Sequence, residues 1–157
     1  MHRLSMESSK QVVTQRGTTP APYYANSGPV MHEVLMPVRW GDMDAFAHVN
    51  NTVYFRFMEQ CRIEWFLKIG AHIEQSDIVP MLVGADCRFI RAIKHPAVAR
   101  VTIAVGDVGP KVVQTLHEIW VDDTLCAVGD CKIVWISQAA NKAIALPEDI
   151  RARLVAR

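Results

Sequence analysis

The stretch Val38–Glu64, VRWGDMDAFAHVNNTVYFRFMEQCRIE, decides the fold. It leaves an alternating apolar segment, crosses a polar turn with two acids and a histidine, and ends in helical periodicity. Tyr54, Phe57, Met58, Cys61, Trp65 and Phe66 recur at three- and four-residue spacing, which predicts one apolar helix face. Arg56, Glu59, Gln60 and Lys68 fall mainly on the other side. Asn50, Asn51 and Thr52 are N-capping residue types just ahead of that period, and Gly70 is a C′ stop just past it. A helix start gathers unpaired N–H groups and partial positive charge, so it can hold an anion or polarise a carbonyl. Asp42, Asp44 and His48 lie shortly upstream. A carboxylate aimed at such an N–H is a minimal acyl-transfer apparatus.

Upstream, His32 to Trp40 alternates, with Val34, Met36, Val38 and Trp40 on one face, and predicts a first strand. Pro37 marks it as an edge or bulged strand. Downstream, Ile78 to Val83 and Ala85 to Ile90 read as one long second strand bent at Gly84. Val101, Ile103 and Val105 alternate in a third strand, and Lys111 to Val121 predicts a fourth. Asp122 and Asp123 turn into a fifth, Thr124 to Ile136. Pro147, Glu148 and Asp149 ahead of Arg151, Arg153 and Arg157 give the charge order of a short final helix. One dominant helix among hairpin-connected strands predicts an α+β fold, with a curved antiparallel sheet wrapped around one long central helix. There is no βαβ alternation and no Gly-rich phosphate loop, which argues against a nucleotide-binding fold.

The chain has 157 residues, enough for one domain with an ordinary core. Half of the residues are hydrophobic and 21% are charged, a globular rather than disordered balance. A formal net charge of +1 offers no electrostatic case for nucleic acid or a membrane surface. No apolar run approaches the roughly 18 residues of a membrane span. Cys61, Cys87, Cys126 and Cys131 form no CxxC pair and sit in apolar patterns, so they read as reduced core residues of a cytoplasmic protein. Residues 1–30 lack a sustained period and read as a flexible N-terminal extension ahead of a domain at 31–157. Arg3, Lys10 and Arg16 against Glu7 leave a weak organelle-targeting segment open as an alternative.

The order of elements, with Arg39–Trp40–Gly41–Asp42–Met43–Asp44, His48–Val49–Asn50–Asn51, Tyr54, Glu59 and Arg62, resembles the hotdog-fold acyl-CoA thioesterases of the 4-hydroxybenzoyl-CoA thioesterase-like family. Phe89–Ile90–Arg91, Ala127 to Trp135 and Leu146–Pro147–Glu148 extend the resemblance over about residues 32 to 155. Two positions depart from it. Ala47 stands where the motif usually has glycine, and Gly109–Pro110–Lys111 replaces a small polar stretch near the ligand. The resemblance implies hydrolysis of an acyl thioester, aliphatic or aromatic, to free acid and coenzyme A. It implies no cofactor beyond the coenzyme A of the substrate, and self-association to a homodimer or homotetramer.

The resemblance assigns Asp44 as nucleophile or general base, a role carboxylates fill when well placed. Read alone, Asp44 is equally an Asx-turn residue. Asn51 matters for its backbone N–H, which the resemblance aims at the thioester carbonyl. His48 is a substrate-orienting group or a turn residue bonded to nearby backbone. Glu59 occupies the helix position of the active acid in another branch of these thioesterases, and also has the spacing for an ion pair with Arg62. Trp40, Tyr54, Phe57 and Phe89 are expected in the core, with Tyr54 and Phe89 as substrate-binding candidates where they line the pocket. Arg91, with Arg88, Lys94 and His95, suits coenzyme A phosphates, or is simply a solvated rim. His48 has no partner at ligand spacing, so no metal site is expected. Two rivals stay open: an acyl-thioester dehydratase, whose H-x-D-x-N-P-x-H segment is missing here, and a non-catalytic acyl-CoA-binding or scaffold protein. An acyl-carrier protein in place of coenzyme A is also open.

Overall fold

A computed structural model describes residues 23–24, 27–71 and 76–155. Six antiparallel strands form one sheet: β1 (Val30–Val38), β2 (Ile78–Phe89), β3 (Ala97–Val108), β4 (Val112–Val121), β5 (Thr124–Ser137) and β6 (Lys142–Ile144). The order across the sheet is β1-β3-β4-β5-β2, with β6 added to β5. Two helices accompany it, α1 (Asn51–Lys68) and α2 (Glu148–Val155). Of the segment expected as an N-terminal extension, Val30 belongs to β1, Gly28 N–H donates to Val105 O, and Tyr23 N–H donates to the Glu118 carboxylate. Residues 1–22, 25 and 26 lie outside the described residues.

Local chemistry sets the limits of α1. The Asn50 side chain accepts from Thr52 N–H at 2.9 Å and caps the first turn. Gly70 leaves the helix at φ +71°, the left-handed conformation that glycine adopts without steric cost. The buried stripe is Tyr54, Phe57, Met58, Cys61, Arg62, Trp65 and Phe66. It packs on the sheet face formed by Val101, Ile103, Val113, Ile119, Ala127, Ile133 and Trp135, all buried in the same cluster. Gly129 lies within this face. A Cβ there would run into Met58 Sδ, so the close approach of helix and sheet requires glycine. Each fully buried aromatic or aliphatic side chain on this stripe contributes about 2 kcal/mol.

Three expectations are corrected. Trp40 is neither in β1 nor in the core; it is 76% exposed and opens a 3-10 turn, Trp40–Asp42. The cause is local: Arg39 N–H donates to Asp42 Oδ2 at 2.7 Å and closes the turn before the alternation can continue. Phe89 is 44% exposed rather than core, because it ends a strand at the edge of the sheet. Glu59 and Arg62 form no ion pair: Arg62 lies on the buried stripe and reaches Cys131, whereas Glu59 is exposed. The three residues of β6 are too few to show a period in sequence.

Candidate active site

The candidate site is built on the turn that joins β1 to α1. Asp44 N–H donates to His48 O at 2.8 Å, Ala47 N–H donates to Asp44 O at 3.0 Å, and Asn50 N–H donates to Asp42 O at 2.9 Å. Met43 and Val49 form a β-bridge across its neck. Ala47 holds φ +58°, the conformation for which glycine is preferred, so the residue changes while the backbone path remains left-handed.

Within this frame the half-buried Asp44 uses one oxygen structurally. Oδ1 accepts from Phe46 N–H at 2.8 Å in an Asx turn, and Oδ2 receives no donor from the described residues. At the helix start, Thr52 N–H is taken by Asn50 Oδ1 and Val53 N–H by Asn50 O. Asn51 N–H, the first amide of α1, has no acceptor among the described residues. One turn therefore carries both a carboxylate oxygen and a helix-terminal N–H without protein partners. The two readings of Asp44 coexist, since one oxygen folds the turn and the other is left over.

The end of β2 is tied to the same turn. Val49 N–H donates to Ile93 O at 2.8 Å, and Ile93 N–H donates to Tyr54 Oη at 3.3 Å. Tyr54 and Phe89 meet edge to face with ring centroids 5.0 Å apart. Burial raises the Tyr54 phenol above its ordinary value, so it is a neutral hydrogen-bonding group at physiological pH. Asp44, His48, Asn51, Tyr54 and Phe89 are thus linked through the turn and Ile93. The Ile93 clamp is visible only once the chain folds, because its two partners lie on separate elements.

Other candidates stand apart. Arg91 has an exposed side chain, and its N–H donates to Cys126 O at 2.9 Å. Lys94 and His95 are likewise exposed. Arg88 donates to the Tyr23 hydroxyl. Glu59 sits farther along α1, beside a recess of about 140 Å³ lined by Phe55, Arg56, Met58, Arg62 and Leu82 among others. Burial pushes the Cys61 thiol up to about 12 and those of Cys87 and Cys131 to about 11, so none of these offers a thiolate at neutral pH. Among the described residues no group of three or more His, Cys, Asp or Glu could hold a metal, and no helix is long and apolar enough to cross a membrane.

The fold has clear counterparts. The PA2801 protein of Pseudomonas aeruginosa, provisionally assigned as a thioesterase, superposes with a TM-score of 0.75 at 32% identity, covering 81% of this chain and all of that one. A thioesterase of Thermus thermophilus complexed with coenzyme A and Zn gives 0.72 at 25% identity, covering 80% and 92%. The uncharacterised protein YsmA of Bacillus subtilis (strain 168) is 24% identical over 120 residues, 75% of this chain and 81% of that protein. The family profile described as the thioesterase-like superfamily matches residues 38–154, from the last residue of β1 into α2, and the chain belongs to that superfamily, on a hotdog fold.

Proposed function

We propose that the protein hydrolyses an acyl-CoA thioester to a free acid and coenzyme A. The single observation that carries this reading is the pairing, in one turn, of the spare Asp44 oxygen with the spare Asn51 N–H. Charge grows on the thioester carbonyl oxygen during attack, and one well-placed N–H at that oxygen supplies roughly 3 kcal/mol of barrier lowering. As base, Asp44 takes a proton from water while the water oxygen attacks the acyl carbon. Collapse then breaks the C–S bond, and the departing sulfur takes up the proton. As nucleophile, Asp44 forms a mixed anhydride and expels the thiolate, and water hydrolyses the anhydride afterwards. Tyr54 and Phe89 supply an apolar wall beside the turn, and His48 orients the acyl group or the water.

Self-association completes the proposal. In sheet order β2 is an edge strand, and Met81, Leu82 and Val83 on it are each more than 40% exposed. An unpaired apolar edge invites pairing with another strand. A second copy pairing along β2 extends the sheet and brings two turns and two recesses to one interface, giving a homodimer, or a homotetramer if dimers pair again. The acyl-CoA reading is supported by the coenzyme A held by the Thermus relative. The test is thiol release from a panel of acyl groups on coenzyme A and on acyl-carrier protein. Release from the coenzyme A panel is expected; binding without release would show a non-catalytic acyl-CoA-binding protein instead.

A further inference from the structure

The recess beside Glu59 has a mostly buried cation in its lining. Arg62 is a guanidinium with five N–H donors, yet it is only 6% exposed. Its one hydrogen bond among the described residues is a weak one, Nη1 to Cys131 Sγ at 3.8 Å. Burial holds that thiol neutral, with its pKa raised to about 11, so it contributes no negative charge. Among the described residues no carboxylate forms an ion pair with Arg62, so its charge is open to an anionic ligand in the recess. Two further buried polar side chains border it. Thr115, the cross-strand partner of Cys131, is fully buried and its hydroxyl has no partner. His117, two residues along β4, is fully buried, and neither ring nitrogen makes a well-formed hydrogen bond.

This cation is part of the recess lining. That lining carries two arginines, Arg56 and Arg62, against one carboxylate, Glu59, and is otherwise mainly apolar: Phe55, Met58, Leu82 and Ala85. A cation beside an apolar trough suits a chain that is greasy along its length and anionic at its tip. Arg62 lies eleven residues after Asn51, about 16 Å along the helix axis at 1.5 Å per residue. Its side chain leans back toward the helix N-terminus. An acyl group held at the Asn51 N–H therefore needs medium length, rather than that of an acetyl group, to reach the Arg62 guanidinium.

We propose that the recess receives the far carboxylate of a dicarboxylic acyl group, with Arg62 as the specificity-determining cation. This rests on the thioesterase reading above and adds the substrate class. The test compares matched substrates of equal length, adipyl-CoA with hexanoyl-CoA and suberyl-CoA with octanoyl-CoA. Wild type is expected to favour the dicarboxylic member of each pair in kcat/KM. In Arg62→Met the ratio should fall by at least about tenfold, the scale of a lost charge-assisted hydrogen bond, and Arg62→Lys should restore part of it. Methionine has similar volume, and such replacements of buried charge are commonly neutral or stabilising, so folding is preserved. A wild type without the preference, or a ratio that Arg62→Met leaves unmoved, overturns the proposal.

A binding arm separates this inference from the hydrolase reading. Free adipate, compared with hexanoate at equal ionic strength, should raise the Tm of wild type but not of Arg62→Met. If no thioester is cleaved, the hydrolase reading fails, and this shift alone decides the recess; its absence overturns the proposal. Conversion of the protein to monomers by both Arg62→Met and Glu59→Gln would mean that the cation serves a subunit contact, and also overturns it.

Discussion

Two regions border the same helix stripe and are solved in opposite ways. The turn from Arg39 to Thr52 is polar and half-exposed, and its acids and its cap are matched within a few residues: Asp42 with Arg39, Asp44 with Phe46, Asn50 with Thr52. What they leave over includes one carboxylate oxygen and the first amide of α1. Beneath α1 the opposite holds. Arg62, Thr115 and His117 are buried, are brought together only by strand register, and remain largely without partners. Polar matching that is local in sequence folds by itself and leaves a defined chemical remainder. Matching across the sheet leaves buried polar atoms of Thr115 and His117 short of partners within the chain.

After loss of the Asp44 carboxylate itself, removing the turn's spare amide gives the largest effect expected here. Asn51→Pro deletes the N–H together with an exposed carboxamide, and keeps the helix, since proline is favoured at the first helical position. Asn50, at φ −60° and ψ 141°, already has the extended backbone that a following proline demands. Steady-state thiol release should drop about a hundredfold or more, the loss of one carbonyl-polarising donor, with little change in Tm. A variant as fast as wild type would separate the helix start from the chemistry. On the buried side, Gly129→Ala places a Cβ against Met58 Sδ and should cost about 2 kcal/mol by overpacking, measured by urea unfolding.

His117 distinguishes the regions by pH. Burial, and then the neighbouring Arg62 charge, lower its pKa from 6.5 to about 3. Between those values the unfolded chain binds the proton and the folded one does not. Stability therefore falls as pH drops below 6.5, by up to about 1.4 kcal/mol per pH unit. His117→Leu should flatten the part of this slope between pH 6.5 and 5.5, and unfolding free energies at the two pH values test it. Leucine should be tolerated at pH 7, because neither ring nitrogen has a well-formed hydrogen bond to lose. The smallest effect belongs to the turn: Ala47→Gly relieves the left-handed φ of +58° and should stabilise by about 0.5–1 kcal/mol in thermal unfolding.

How much of this was legible in the sequence follows the same division. The helix limits were readable because Asn50 and Gly70 act on their immediate neighbours, and the strands because alternation is a local signal. Apolar alternation in the sequence continues to Trp40, but the bond from Arg39 N–H to the Asp42 side chain ends the strand before it. Phe89 misled because edge placement depends on the order of strands, which no single strand encodes. Glu59 and Arg62 have ion-pair spacing, yet the guanidinium is drawn to Cys131 on a strand 69 residues away. His117 in β4 gave no signal at all, since alternation alone cannot tell a covered strand face from a solvated one.

The central claim is that the acid of the turn, rather than the acid of the helix, drives hydrolysis. Thiol release by Asp44→Asn and Glu59→Gln, measured side by side on the best acyl-CoA, tests it most directly. Asparagine can still accept from Phe46 N–H, so the turn survives in the first variant. The account predicts a loss of about a thousandfold in Asp44→Asn, far beyond that in Glu59→Gln. Full activity in Asp44→Asn, with the loss confined to Glu59→Gln, would contradict it.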